Sequence, residues 1–163
     1  MKRKTVIFVC SFNSVRSPIA EGLLRYYAAG LTPYSAGVAP VRVRPGAVQV
    51  MKEVNIDISG HIPSSVYQYR DKQFDYVVTM CDNARQNALD VLKEGDRFYH
   101  RNFTSPQEIG KTPEEILGEY RTLRDDIGSW LADIFPEDYQ VSGTDRNEIA
   151  GERQTTSVFP GKS

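Results

Sequence analysis

The sequence predicts an α/β fold, a parallel sheet covered by helices on both faces. Two continuous apolar runs, around Thr5–Val9 and Phe74–Met80, leave no polar face, as strands buried on both sides require. Stretches of helical periodicity separate the strand-like runs, and that alternation argues for parallel pairing. The chain has 163 residues, 40% of them apolar and 25% charged, enough for one soluble domain with a real core.

Taken in order, residues 4–10 read as a buried strand. Ser17-Pro18 then opens a helix, with serine suited to the N-cap and proline to the first helical position. Ile19, Leu23 and Tyr27 share its apolar face, and Gly30 closes it. A short strand around Tyr34-Ser35-Ala36 ends at Gly37, and a second helix runs from about Pro45 to Val54. The run 74–80 is the next strand, followed by a helix from Asn83 to Lys93 that stops near Gly95. Arg97–His100 is a short strand. Thr112-Pro113-Glu114-Glu115 has the spacing of a capping box, and Ile116, Tyr120, Leu123, Ile127 and Leu131 carry a long final helix. Residues 1–135 therefore form the domain, and 136–163, polar and without periodicity, are expected to be a poorly ordered tail.

Charge excludes several function classes. Lys plus Arg is 20 against 21 Asp plus Glu, so the net charge of −1 leaves no footprint for nucleic acid or membrane. "MKRKTVIFVCSF" imitates a signal peptide, but Asn13 and Arg16 interrupt the apolar run and no small-residue cleavage site follows. No stretch approaches the roughly 18 apolar residues of a membrane span. Two cysteines, Cys10 and Cys81, are too few for a disulfide scaffold, and a reducing cytoplasm is the expected location.

The first strand-to-helix turn, "CSFNSVRSP", is where open α/β sheets place ligands. A loop of Ser11, Phe12, Asn13, Ser14 and Val15 leading into Arg16 and Ser17 presents successive backbone N–H groups to an anion, and the helix adds its positive end. Arg16 offers a planar fork to two oxyanion oxygens. The same surroundings suit a nucleophilic thiolate at Cys10. A lone cysteine at a strand end is more often a buried, inert residue. Here Cys10, five intervening residues, Arg16-Ser17 and a helix start coincide at the favoured topological place, which outweighs that bland reading.

The stretch "VIFVCSFNSVRSPIAEG" resembles the phosphate-binding loop of the low-molecular-weight protein tyrosine phosphatase superfamily, which includes thiol-dependent arsenate reductases. The resemblance continues through "YSAG", "MKEVNIDISGH", "FDYVVTMCDNAR" and "EEILGEYRTLRDDI", over about residues 4–133. The later stretches, with Cys81 in "VVTMCDNAR", are closer to the arsenate reductase branch. The resemblance implies a flavodoxin-like four-stranded parallel sheet, Cys10 as nucleophile and Arg16 as oxyanion binder. It implies further that Asn13, Ser17, Ser35 and His61 hold the loop in shape. His61 and His100, the only histidines, read by chemistry alone as hydrogen-bonded structural residues rather than general bases.

Several positions depart from the family pattern. The family's late Asp-Pro pair supplies a general acid, whereas "HRNFTSP" puts Ser105 before Pro106, and losing such an acid costs about 10²–10⁴ in rate. Asp82, Asp90 and Asp96 read as solvated surface. Ala88 stands at the third thiol position of the three-cysteine reductases, and Phe12 replaces a small loop residue. Asn13, Glu21 and Ser35 match the family's potassium constellation, but Ser64 stands where an aspartate is expected. No metal and no cofactor are therefore expected.

Cys81 has no use in ester hydrolysis, and its bland reading is a buried strand-end cysteine. In a reductase it would attack the sulfur of a Cys10–arsenic adduct and leave a disulfide. With no third cysteine, an external thiol (glutaredoxin, thioredoxin or a small thiol) would then reduce the pair. Loss of the acid hurts a phosphatase more, because arsenate carries its own proton on a leaving hydroxyl. Arsenate reductase is the leading expectation. A phosphatase with impaired acid catalysis, or a non-catalytic oxyanion-binding or redox-sensing relative, is the alternative.

Overall fold

The computed structural model describes residues 2–141. Four parallel strands, β1 (Lys4–Cys10), β2 (Leu31–Gly37), β3 (Tyr76–Thr79) and β4 (Arg97–His100), lie in the order β2-β1-β3-β4. Between and after them run helices α1 (Arg16–Tyr27), α2 (Pro45–Lys52), α3 (Asp82–Val91) and α4 (Pro113–Ile134), with a 3₁₀ turn at Val66–Tyr69.

The alternation of β1 explains why its sequence is apolar throughout. Val6, Phe8 and Cys10 face the core built with α1, α2 and α4, where Ile19, Leu24, Met51, Ile127 and Trp130 are buried. Ile7 and Val9 face the smaller core under α3, with Val66, Phe74, Ala84 and Ala88. The chain leaves β1 toward β2 on one side and later returns to β3 on the other. The carboxyl ends of β1 and β3 thus flank the topological switch point, where α/β sheets open a crevice for ligands.

Some element boundaries differ from those expected, where tertiary use of a side chain overrides local preference. Helix α1 starts at Arg16 with Val15 as an N-cap that offers no side-chain bond, so Ser17 is not the cap. Its hydroxyl is used inside the loop instead. Pro33 sits within β2, which runs to Gly37, and an edge strand tolerates a residue without an N–H. The second helix stops at Lys52, short of Val54. The Thr112–Glu115 capping box forms as its spacing predicts, each side chain bonding the other's backbone N–H at 3.2 Å. The expected tail lies outside the described residues from 142 onward. Among its first residues, Tyr139 is buried 5.1 Å from the Tyr27 ring, and the Gln140 N–H donates to the Tyr27 carbonyl at 2.7 Å.

Candidate active site

β1 delivers Cys10 to the crevice with only 1% of its surface exposed. The Ser17 hydroxyl lies 2.9 Å from Cys10 Sγ and accepts a bond from Asn13 Nδ2 at 2.8 Å. Having accepted, it keeps its own proton free to point at the sulfur.

Asn13 is the hub of the loop. Its backbone is left-handed at φ 51, which asparagine tolerates better than most residues, and its side chain is fully buried. Nδ2 donates to Ser17 and, at 2.9 Å, to Ser35 Oγ; Oδ1 accepts from the Ser64 N–H at 2.9 Å and from His61 Nε2 at 3.0 Å. Because the Ser64 N–H can only donate, the amide orientation is fixed and His61 must carry its proton on Nε2. Burial pushes the His61 imidazole below its ordinary value, against the opposing pull of Glu21, whose carboxylate is 3.9 Å from Nδ1. Asn13, Ser17, Ser35 and His61 thus converge in one network around the loop.

Gly37 is required by close approach. A Cβ there would meet the Asn13 nitrogen at 2.8 Å and the Phe12 carbonyl carbon at 2.9 Å. Val38, Ala39 and Val41 then hang on the carbonyls of Cys10, Ser11 and Phe12 through backbone bonds of 3.2, 2.8 and 2.9 Å, so the chain after β2 braces the loop from outside. The Phe12 ring itself points out, 51% exposed at the rim.

Arg16 is 9% exposed. Its Nη1 donates to the Phe103 carbonyl at 2.9 Å, while its Nε is buried and has no partner among the described residues. A buried, unpartnered donor on a guanidinium at a helix N-terminus is a group that an anion could satisfy.

Cys81 caps α3 at the end of β3, next to the loop. Its Sγ is 3.2 Å from Ser11 Oγ, which also accepts from Asn83 Nδ2 at 3.3 Å. Both thiols are free. The sheet separates them: Cys10 belongs to the core on the α1 side, and Cys81, just past β3, packs against the core on the α3 side.

The remaining candidates sit farther out. Ser105 lies half-buried on the segment after β4, two residues beyond the Phe103 carbonyl that holds Arg16. His100 Nδ1 pairs with Thr79 Oγ1 at 2.7 Å, and its Nε2 lies 3.3 Å from Asp82 Oδ1 without the alignment of a hydrogen bond. Burial lowers its pKa too. Asp82, read as plain surface, is exposed but also accepts from Asn102 Nδ2 at 3.1 Å. Ala88 is buried on the inner face of α3. The Phe103 carbonyl is the feature that sequence reasoning missed, and no signal could have found it, because every residue carries the same group.

The profile of the Low molecular weight phosphotyrosine protein phosphatase family matches residues 5–105. The chain belongs to this family. Among its relatives, an arsenate reductase of Halalkalibacterium halodurans is 36% identical over 129 residues, 78% of this chain and 92% of that protein. One of Staphylococcus aureus is 38% identical over 128 residues, 78% and 92% of the two chains. A solved arsenate reductase in its oxidized state superposes with a TM-score of 0.64 at 30% identity, over 76% of this chain and 90% of that one. The four-stranded α/β architecture is that of the family.

Proposed function

We propose that the protein is a thiol-dependent arsenate reductase. The observation that carries this reading is Cys81: a second free thiol, 3.2 Å from the hydroxyl of Ser11, at the start of α3 just past the strand that neighbours β1.

Arsenate enters the loop, its oxygens received by the loop N–H groups and by the free edge of Arg16. The Cys10 thiolate attacks arsenic, and an arsenate hydroxyl takes up a second proton from solvent and leaves as water. The Cys81 thiolate then attacks Cys10 Sγ. The sulfur–arsenic bond breaks, its electron pair stays on arsenic, and As(V) becomes As(III) as arsenite departs. Two thiols have supplied two electrons and become one disulfide, which an external thiol (glutaredoxin, thioredoxin or a small thiol) reduces. The two sulfurs are unbonded in this structure and packed in cores on opposite sides of the sheet, so they must approach one another for that bond to form. Redox-active cysteines fit a reducing cytoplasm and a role in arsenical resistance. Among the described residues, no helix is long and apolar enough to cross a membrane.

The complete Cys10–Ser17 loop keeps phosphomonoester hydrolysis as the second reading, with Ser105 where a proton donor would stand. Parallel assays of arsenate turnover with each reductant and of aryl-phosphate hydrolysis separate the two. The reductase reading expects Cys10→Ser to abolish arsenate turnover and Cys81→Ser to stall it unless a small thiol substitutes. It expects Ser105→Asp to raise aryl-phosphate hydrolysis by up to about 10²–10⁴ while changing arsenate turnover less. Arsenate turnover indifferent to Cys81 would refute it.

A further inference from the structure

We infer that Phe103 is a positioning residue: its carbonyl and its wedged ring hold the Arg16 guanidinium so that one chosen edge faces the oxyanion. This rests on Arg16 being the oxyanion ligand of the proposed reaction.

A guanidinium has two edges that can grip two oxygens at once. In this site the Nη1 corner is committed to the Phe103 carbonyl at 2.9 Å. The buried Nε has no partner among the described residues, so the edge left for an anion is Nε with Nη2.

The carbonyl can select that edge only if it is itself immobile, and four contacts make it so. The Phe103 N–H donates to the Met80 carbonyl at 2.9 Å, and the Arg101 N–H donates to the Thr79 carbonyl at 3.1 Å, extending the β3–β4 pairing past the end of β4. The Phe103 ring lies with the Arg101 guanidinium 4.7 Å from its centroid and packs 5.6 Å from the ring of Trp130 on α4. The segment that carries serine in place of the acid therefore still shapes the reaction centre. It supplies a fixed acceptor rather than a proton. Long arginine side chains lose much rotamer freedom on binding, and here that ordering is complete before the anion arrives.

A mere packing role would cost stability and leave oxyanion affinity alone, so affinity is the readout. The dissociation constant for inorganic phosphate is measured from its protection of Cys10 against iodoacetamide, for the parent, Phe103→Leu, Phe103→Ala, Arg16→Lys and Arg16→Lys with Phe103→Leu. Phe103→Ala should weaken phosphate binding by about tenfold, the size of one charge-assisted hydrogen bond's contribution, and Phe103→Leu by less. In the Arg16→Lys background, Phe103→Leu should cost nothing further, because the two residues act as one unit. If Phe103→Ala fails to fold, Phe103→Leu carries the cycle. Phosphate affinity unchanged by the Phe103 substitutions while melting temperature falls, or an equal loss in both backgrounds, overturns the inference alone. Parent-like phosphate affinity in Arg16→Lys overturns the oxyanion reading, and the inference with it.

Discussion

Replacing Asn13 by alanine removes four hydrogen bonds: two buried ones donated by its Nδ2 to Ser17 and Ser35, and two part-buried ones accepted by its Oδ1 from Ser64 and His61. At about 1 kcal/mol net for each bond the loss is about 4 kcal/mol, and the orphaned Ser64 N–H and His61 Nε2 make it no smaller. Alanine also inherits a backbone at φ 51, a strain of about 1 kcal/mol that glycine would not feel. Asn13→Ala should therefore cost about 5 kcal/mol, a large share of the roughly 5–15 kcal/mol that holds a domain of ordinary stability. Asn13→Gly should lose the same four bonds but stay closer to the parent. Urea unfolding followed by circular dichroism measures both, with phosphate protection of Cys10 as the local readout. With about 1 kcal/mol of that due to strain, a cost under about 1.5 kcal/mol for Asn13→Ala would mean that none of the four bonds contributes at ordinary strength. Asn13→Gly less stable than Asn13→Ala would refute the strain argument.

Two more expectations follow from the loop's supports. Burial lowers the pKa of both His61 and His100, so each binds its proton more readily in the unfolded chain. Their stabilising contribution is complete above the ordinary histidine value of about 6.5 and is lost as pH falls below it. Urea midpoints should fall between about pH 7 and pH 5, before ordinary carboxylates titrate, and His61→Gln should flatten the slope; a midpoint that rises toward pH 5 would contradict this. Gly37→Ala puts a methyl group against the backbone of Phe12 and Asn13. It should destabilise the fold by about 1–3 kcal/mol and weaken phosphate protection of Cys10 in the same protein. Unchanged protection would mean the loop does not depend on that close approach.

The order of strands and helices was legible because β1 and β3 are apolar on both faces and the capping box before α4 is a local signal. Most of the loop's residues could be named for the same reason: "CSFNSVRSP" is a contiguous pattern at a predictable turn. The first turn of α1 was misread because Ser17 has two possible uses. Local preference favours a cap, whereas the fold spends its hydroxyl on Asn13 and Cys10. The grip on Arg16 was invisible, since it comes from a backbone carbonyl 87 residues away. The opposite facing of Cys10 and Cys81 was equally hidden, because it depends on the register that places Val9 beside Thr79.

The most direct test of the two-thiol mechanism is a single turnover without reductant. The parent protein is treated with arsenate alone, the remaining thiols are blocked, and the peptide digest is read by mass spectrometry. The account predicts a Cys10–Cys81 disulfide formed in step with one arsenite released per chain, and neither product from Cys81→Ser. Reduced cysteines and untouched arsenate, in a protein whose Cys81→Ser variant hydrolyses aryl phosphate as fast as the parent, would contradict it.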